Sequence, residues 1–379
     1  MLPYGPVWAV SAPLTRMDLI GEINMGQIAQ TENAGTHFPP PQKTVVDASS
    51  LDQDLSIGTF EVEVFPAQAS EPLHKAWQEL SNNGLDDNPF LSPSFMVPAS
   101  RHLIGDAELS LVAVWRQNGN SRTLAGLFPL AAVRWQLSNP WRGSTTARFW
   151  CHPLQPFCIP LLAKPAALAE HTLRVFMDWL EFRRPKLTSL EASFFLAKSH
   201  ASALLQQEIK TRGLELTTRM DVLNTRGLDF RPLRMPPQMD DMSVARGRAE
   251  VRLALEKLFC LDAAASANQD GGKALLSNPQ YIAFLRATVR SFSLEDKVTI
   301  VFIDEPQAKA GAIVLEGREK CYLWWIVGEH NAAPMIEARL AAAAENATGK
   351  TIVAATQRPL AGLWTEPLFT ESVSIALKR

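Results

Sequence analysis

The chain has 379 residues, 46% of them hydrophobic and 20% charged, with a formal net charge of -2. That length suits two domains with a sizeable core, and that composition excludes wholesale disorder, while the near-zero charge argues against a general nucleic-acid or membrane-surface binder. No apolar run reaches the roughly 18 residues of a spanning helix, the start at Met1–Leu19 lacks the form of a signal peptide, and four cysteines do not make a disulfide framework, so the expected setting is reducing cytoplasm.

Residues 1–56 read as a disordered tail: Gln30 to Asp54 is rich in Thr, Asn, Pro, Ser and Asp, and Phe38-Pro39-Pro40-Pro41 suits neither a helix nor a central strand. From Thr59 the pattern sharpens. Phe60 to Val64 alternates apolar and polar as a half-buried strand does. Ser70-Glu71-Pro72 opens a helix running to Asn82, and Ser92-Pro93 opens a second. Three strands are predicted at Leu109–Trp115, Leu124–Trp135 and Ala147–Leu162, the first two separated by the turn Asn118-Gly119-Asn120. An amphipathic helix over Ala166–Phe182 puts Leu173, Phe176 and Leu180 on one face. A strand at Leu187–Phe194, a helix at Ala201–Arg212 closed by Gly213, and strands at Leu214–Thr218 and Met220–Leu228 complete the first half.

The second half repeats that order. A helical stretch covers Val244–Leu261, and Ser277-Asn278-Pro279 caps a helix with Ile282, Leu285, Val289 and Phe292 on one face. Strands follow at Val298–Ile303, Ala310–Leu315 and Lys320–Val327, then a helix at Pro334–Glu345, a strand at Thr351–Ala355 and a last strand at Ser372–Leu377. Three strands joined by short turns are expected to be antiparallel, and the strand–helix–strand after them a right-handed parallel crossover. The division is therefore a tail (1–56), a first domain (57–230), a linker (231–243) and a second domain (244–379).

This element order resembles the Gcn-five-related N-acetyltransferase fold, and several segments resemble its CelD-type branch, associated with bacterial cellulose and exopolysaccharide loci. Asn88-Pro89-Phe90-Leu91-Ser92-Pro93 is similar to that branch's entry to an early helix, Leu124 to Leu130 to its Gly- and Pro-containing strand, Leu258 to Ser277 to its polar segment, and Trp364 to a Trp after a short helix. The resemblance implies an α/β (α+β) protein of two tandem acyl-CoA N-acyltransferase-like domains, each a mixed central sheet flanked by helices. Three departures fall around the site: Ala265 to Asp270 replaces a Gly-Trp-Lys-Gly run, Ala332-Ala333-Pro334-Met335 replaces Ser-Pro-Gly, and Ala354-Ala355 replaces Asp-Ser.

Carried onto this chain, the resemblance implies a small-molecule donor, acetyl-CoA or another acyl-CoA, and a small-molecule amine acceptor such as an amino sugar or cell-envelope precursor. Trp324, Ile326, Val327 and Gly328 would take the pantetheine arm, and the helix starting at Pro334 and Met335 would face the pyrophosphate. Glu329 and His330 are the candidates for the base that takes the amine proton, although Glu329 also repels phosphate. Asp262, Asp270 and Lys273 are the candidates for acceptor binding. The competing readings are core packing for Trp324 and Trp325 and solvated loops for the polar residues. Cys151, His152 and Cys158 do not have zinc-site spacing, so no metal is expected. Two other functions share this pattern: a fold-keeping protein without catalysis, and a Fem-like aminoacyl transferase. The near-neutral charge speaks against the latter's nucleic-acid donor.

Overall fold

A computed structural model describes residues 42–46, 58–103, 108–132, 146–152, 154–155, 158–183, 187–196, 198–220, 227–233, 242–267, 278–305, 308–328, 350–354, 367–368 and 370–377. The chain is a mixed α/β protein built on two mixed sheets flanked by helices. The first sheet begins with the antiparallel strands β1 (Gln42–Val46), β2 (Thr59–Pro66), β3 (Glu108–Asn118) and β4 (Ser121–Ala132). Then come β5 (Thr146–Phe149), antiparallel to β4, and β7 (Ser189–Leu196), parallel to β5. The short β6 (Leu161–Leu162) rejoins β4. Helices α1 (His74–Asn83) and α2 (Pro93–His102) separate β2 from β3, and α3 (Ala166–Arg183) supplies the crossover to β7. Next are α4 (His200–Arg212), β8 (Glu215–Met220) and β9 (Gly227–Leu233).

The second half runs β10 (Ser243–Ala245), α5 (Arg248–Ala267), α6 (Pro279–Leu294), β11 (Val298–Glu305), β12 (Ala308–Glu316), β13 (Lys320–Gly328), β14 (Lys350–Ala354), β15 (Pro367–Leu368) and β16 (Thr370–Ala376). Strands β10 to β13 are antiparallel and β14 is parallel to β13, the expected mixture of directions.

Local chemistry accounts for many boundaries. Gly119, in the β3–β4 turn, takes φ +57°, and Gly213 ends α4 at φ +58°, positions where a side chain would be strained. The Asn278 side chain accepts a hydrogen bond from the Gln280 N–H at 2.9 Å and starts α6, with Pro279 in the first turn. On α3, Phe176 stacks on Phe128 of β4 with ring centroids 3.8 Å apart. A Cβ at Gly126 would lie 2.6 Å from Thr172, so β4 lets the helix approach only because that position is glycine.

Four expectations change. Gln42–Val46, expected within the disordered tail, pairs with Phe60–Val64 as an edge strand of the first sheet. The stretch Val244–Leu261 is not one helix: Ser243–Ala245 pairs with β11, Gly247 turns at φ +74°, and the helix starts at Arg248. The single strand expected over Ala147–Leu162 is two pieces. Leu130 and Leu127 of β4 are matched by Phe149 and Leu161, so the chain between Phe149 and Leu161 leaves the ladder as an excursion.

The fourth change concerns the sheets as wholes. Each takes one strand from the other half of the sequence. Strand β16 lies between β7 and β8 in the first sheet, antiparallel to both, and β9 lies between β14 and β15 in the second. A cut through the expected linker 231–243 would thus leave each sheet without a strand. The helix expected at Pro334–Glu345 lies outside the described residues.

Candidate functional site

The second sheet has one irregular point. Ile313 of β12 pairs with Trp325 and Val314 with Leu323, so Trp324 is an extra residue, a β-bulge in β13. Parallel pairing with β14 covers Lys320–Leu323 against Thr351–Ala354. The bulge directly follows the last described pair, Leu323 with Ala354. Beyond Leu323, β13 runs on to Gly328 with no partner on its β14 side among the described residues. The backbone amides of Trp324–Gly328 along that edge are the candidate site.

Of the residues expected to take the donor, Trp324 is buried. Its ring meets Phe95 at 5.6 Å, Phe284 at 6.0 Å and Phe90 at 6.4 Å, and its indole N–H donates to the Leu154 carbonyl at 2.7 Å. The side chain thus fills the seam between the halves and leaves the backbone as the group facing the strand edge. Trp325 is half-buried beside Phe259 of α5, ring centroids 6.3 Å apart. Ile326 and Val327 are buried. At Gly328 a Cβ would stand 2.7 Å from the Cβ of Ala310, so packing within the sheet already requires a glycine. Asp262 is half-buried near the C-terminal end of α5. Glu329, His330, Pro334, Met335, Asp270 and Lys273 lie outside the described residues.

Residues that the sequence did not single out prove to organise the seam. The Asp87 carboxylate accepts from three consecutive backbone N–H groups of the β12–β13 turn: Arg318 at 2.9 Å, Glu319 at 2.8 Å and Lys320 at 2.9 Å. A Cβ at Gly317 would lie 2.5 Å from the same carboxylate. Arg318 donates to the Gly84 carbonyl at 2.7 Å, and Glu295 at the end of α6 accepts from Gln78 at 3.1 Å and from the Ser94 hydroxyl. The neighbouring Asp86 accepts from the His200 and Ala201 N–H groups at 2.9 and 2.8 Å and so satisfies the first turn of α4 beside its Ser199 cap. The Asn88 amide donates to the Ile159 carbonyl at 3.1 Å and accepts from Phe90 N–H at 3.1 Å. The Asn-Pro-Phe motif is therefore a structural joint, with Phe90 against Tyr322 and Trp324 of the second sheet. The available signal was the doubled carboxylate immediately before it.

Among the described residues no cluster of His, Cys, Asp and Glu is arranged to hold a metal ion. Cys158 is buried, donates to the Trp150 carbonyl at 3.5 Å, and has its pKa pushed up by burial, which keeps it a thiol. No helix among the described residues is long and apolar enough to cross a membrane.

No family model and no curated protein matches the chain. Solved structures do. FemX aligns with a TM-score of 0.49 and 8% identity over 80% of this chain and 96% of its own. A tandem GNAT protein from the clavulanic acid biosynthesis pathway aligns at 0.37 and 14% identity, over 83% of this chain and 98% of its own. A conserved protein of Enterococcus faecalis V583, described as a probable N-acyltransferase, aligns at 0.28 and 10% identity, over 84% and 72%.

Proposed function

We propose that the chain transfers an acyl group from an activated carrier, an acyl-CoA thioester, to an amine on a small acceptor, using the second sheet. One observation carries this reading: the backbone bulge at Trp324, just past the last described pair of β13 with β14. An extended, amide-bearing arm can add to such an edge as a further strand would, through backbone hydrogen bonds. Pantetheine is an arm of that kind. A bulge re-aims one backbone N–H out of the ladder, and a donor fixed there stabilises charge developing on a thioester oxygen. The amine nitrogen forms the new bond to the carbonyl carbon, the carbon–sulfur bond breaks, and the thiolate leaves with the carrier. The amine proton passes to a base.

In this reading Glu329 and His330, which follow β13 directly, supply the base. The helix that the sequence predicts from Pro334 and Met335 receives the pyrophosphate in this reading. Asp262, Asp270 and Lys273 contribute to holding the acceptor, and the resemblance suggests an amino sugar or other cell-envelope precursor handled in the cytoplasm.

Hydrogen–deuterium exchange with and without CoA tests this. Protection centred on Trp324–Gly328 is the expected result. No binding of CoA or acetyl-CoA by calorimetry, and no protection, would favour the fold-keeping protein without catalysis. Protection by an aminoacyl-tRNA and not by CoA would favour Fem-like transfer.

A further inference from the structure

The excursion between Phe149 and Leu161 carries an unexplained polar group. Its chain is well anchored: the Trp150 N–H donates to the Pro129 carbonyl at 2.9 Å, and the Gln155 N–H closes a turn onto the His152 carbonyl at 2.7 Å. Leu154 accepts the Trp324 indole N–H at 2.7 Å, so the excursion of the first sheet abuts the bulge residue of the second. The His152 ring stands 5.9 Å from Tyr281 of α6, edge to face. Next to Leu154, Gln155 is 2% exposed, yet neither its side-chain oxygen nor its nitrogen has a hydrogen-bond partner among the described residues. Thr288, on the same face of α6 as Phe284, is likewise buried without a partner for its hydroxyl.

A buried carboxamide with both ends unpaired is a large penalty, and such groups in native proteins mark a place where something else supplies the bonds. The group that answers an acceptor and a donor side by side is one presenting a donor and an acceptor in return. A secondary amide does so. We propose that Gln155 is a ligand-binding residue that reads an amide group of a molecule bound at the seam, beside the bulge at Trp324. Two sources share this chemistry: the arm of the acyl donor, in which case the proposal rests on the transfer reading above, and an N-acylated acceptor, in which case it does not. The position also accounts for the pairing of the halves, because the first half would then complete a site whose strand edge belongs to the second.

The test uses the full chain, the variant Gln155→Met, and two probes, pantetheine and N-acetylglucosamine. Methionine matches the length of glutamine without its polar ends, so removal of unpaired groups should leave the melting temperature unchanged or raised. At the same time the dissociation constant for one of the probes, measured by calorimetry, should rise by about tenfold or more. In the wild-type protein that probe should shift the side-chain NH2 resonance of Gln155, a readout that does not depend on the variant folding. Loss with pantetheine assigns the donor arm, and loss with N-acetylglucosamine assigns the acceptor. A lowered melting temperature with unchanged affinity, or no resonance shift with either probe, overturns the proposal. If CoA still protects Trp324–Gly328 from exchange in Gln155→Met with undiminished affinity, the transfer reading stands and only the role of Gln155 falls.

Discussion

The hydroxyl of Tyr322 in β13 donates to the backbone carbonyl of Asp87 at 2.6 Å, pinning the second sheet to the loop that precedes α2. The phenol is buried, and burial, with Asp87 next in importance, pushes its pKa well above the ordinary value. The neutral form is therefore the one the fold requires. Because the folded pKa lies above the unfolded value of about 10, the contribution of this group is complete below that pH and is lost as pH rises through the folded pKa. Urea titrations of the wild type should show stability falling above about pH 10. Tyr322→Phe should flatten that fall while costing about 1 kcal/mol at neutral pH. Cys158, raised for the same reason, titrates in the same direction from about pH 8.5, so Cys158→Ala is the control.

Asp87 should matter more than the hydrogen bond from Tyr322. Its carboxylate alone answers three donors of one turn. Asp87→Ala leaves them without a charged acceptor and should cost about 3 kcal/mol, the upper range for a hydrogen bond to a charged group. Asp87→Asn retains one acceptor oxygen and should fall between the alanine variant and wild type. Equal stability of all three proteins by thermal melting would mean that the turn holds its conformation unaided.

Trp324 offers a comparison within one residue pair. Trp324→Phe keeps an aromatic ring against Phe95 and Phe284 but removes the indole donor to Leu154, at an expected cost of about 1 kcal/mol. Trp324→Ala empties a buried site and should cost about 3–5 kcal/mol. Trp325→Ala, at a half-buried position, should cost less than Trp324→Ala in the same denaturation experiment.

Periodicity made most of this fold legible. The alternation in Phe60–Val64, the Gly119 turn, the Gly213 stop and the Asn278 cap all report local preferences that the tertiary structure obeys. What stayed hidden is what local preference does not encode. Nothing in Thr370–Ala376 says which sheet it joins, because its alternation fits an interior place in either. The excursion after Phe149 reads as strand because Trp150, Cys158 and Ile159 are apolar and buried, although none of them belongs to β5 or β6. At the site, the run Cys321–Val327 identifies a buried strand, but a bulge depends on the partner's register and leaves no mark in one strand's sequence. Asp87 went unnoticed because a carboxylate that seats a distant turn looks like any loop aspartate.

The exchange of strands between the sheets makes the strongest prediction about the chain as a whole. A fragment ending before residue 231 lacks β16, and with it the antiparallel partner of both β7 and β8. Those two strands would then present unpaired edges, and β8 would have no described neighbour in the sheet. A fragment starting at residue 244 lacks β9, the antiparallel partner of β14 and of β15, and also loses the first residue of β10. Each fragment expressed alone should therefore aggregate or fail to melt cooperatively. Co-expressed fragments cut within 234–240, which keep β9 with the first half, should assemble into a stable one-to-one complex, because every strand is then present and only chain continuity is missing. Removing residues 370–379 from the intact chain should mimic the loss in the first fragment, with a large drop in melting temperature and exposure of the first sheet to proteolysis. Removing 1–41 should not, since β1 survives that cut, whereas removing 1–57 bares the edge of β2 and should promote association. Size-exclusion chromatography and thermal melting of these six preparations decide the matter. Soluble, cooperatively folding halves expressed separately would show that the sheets close without the exchanged strands.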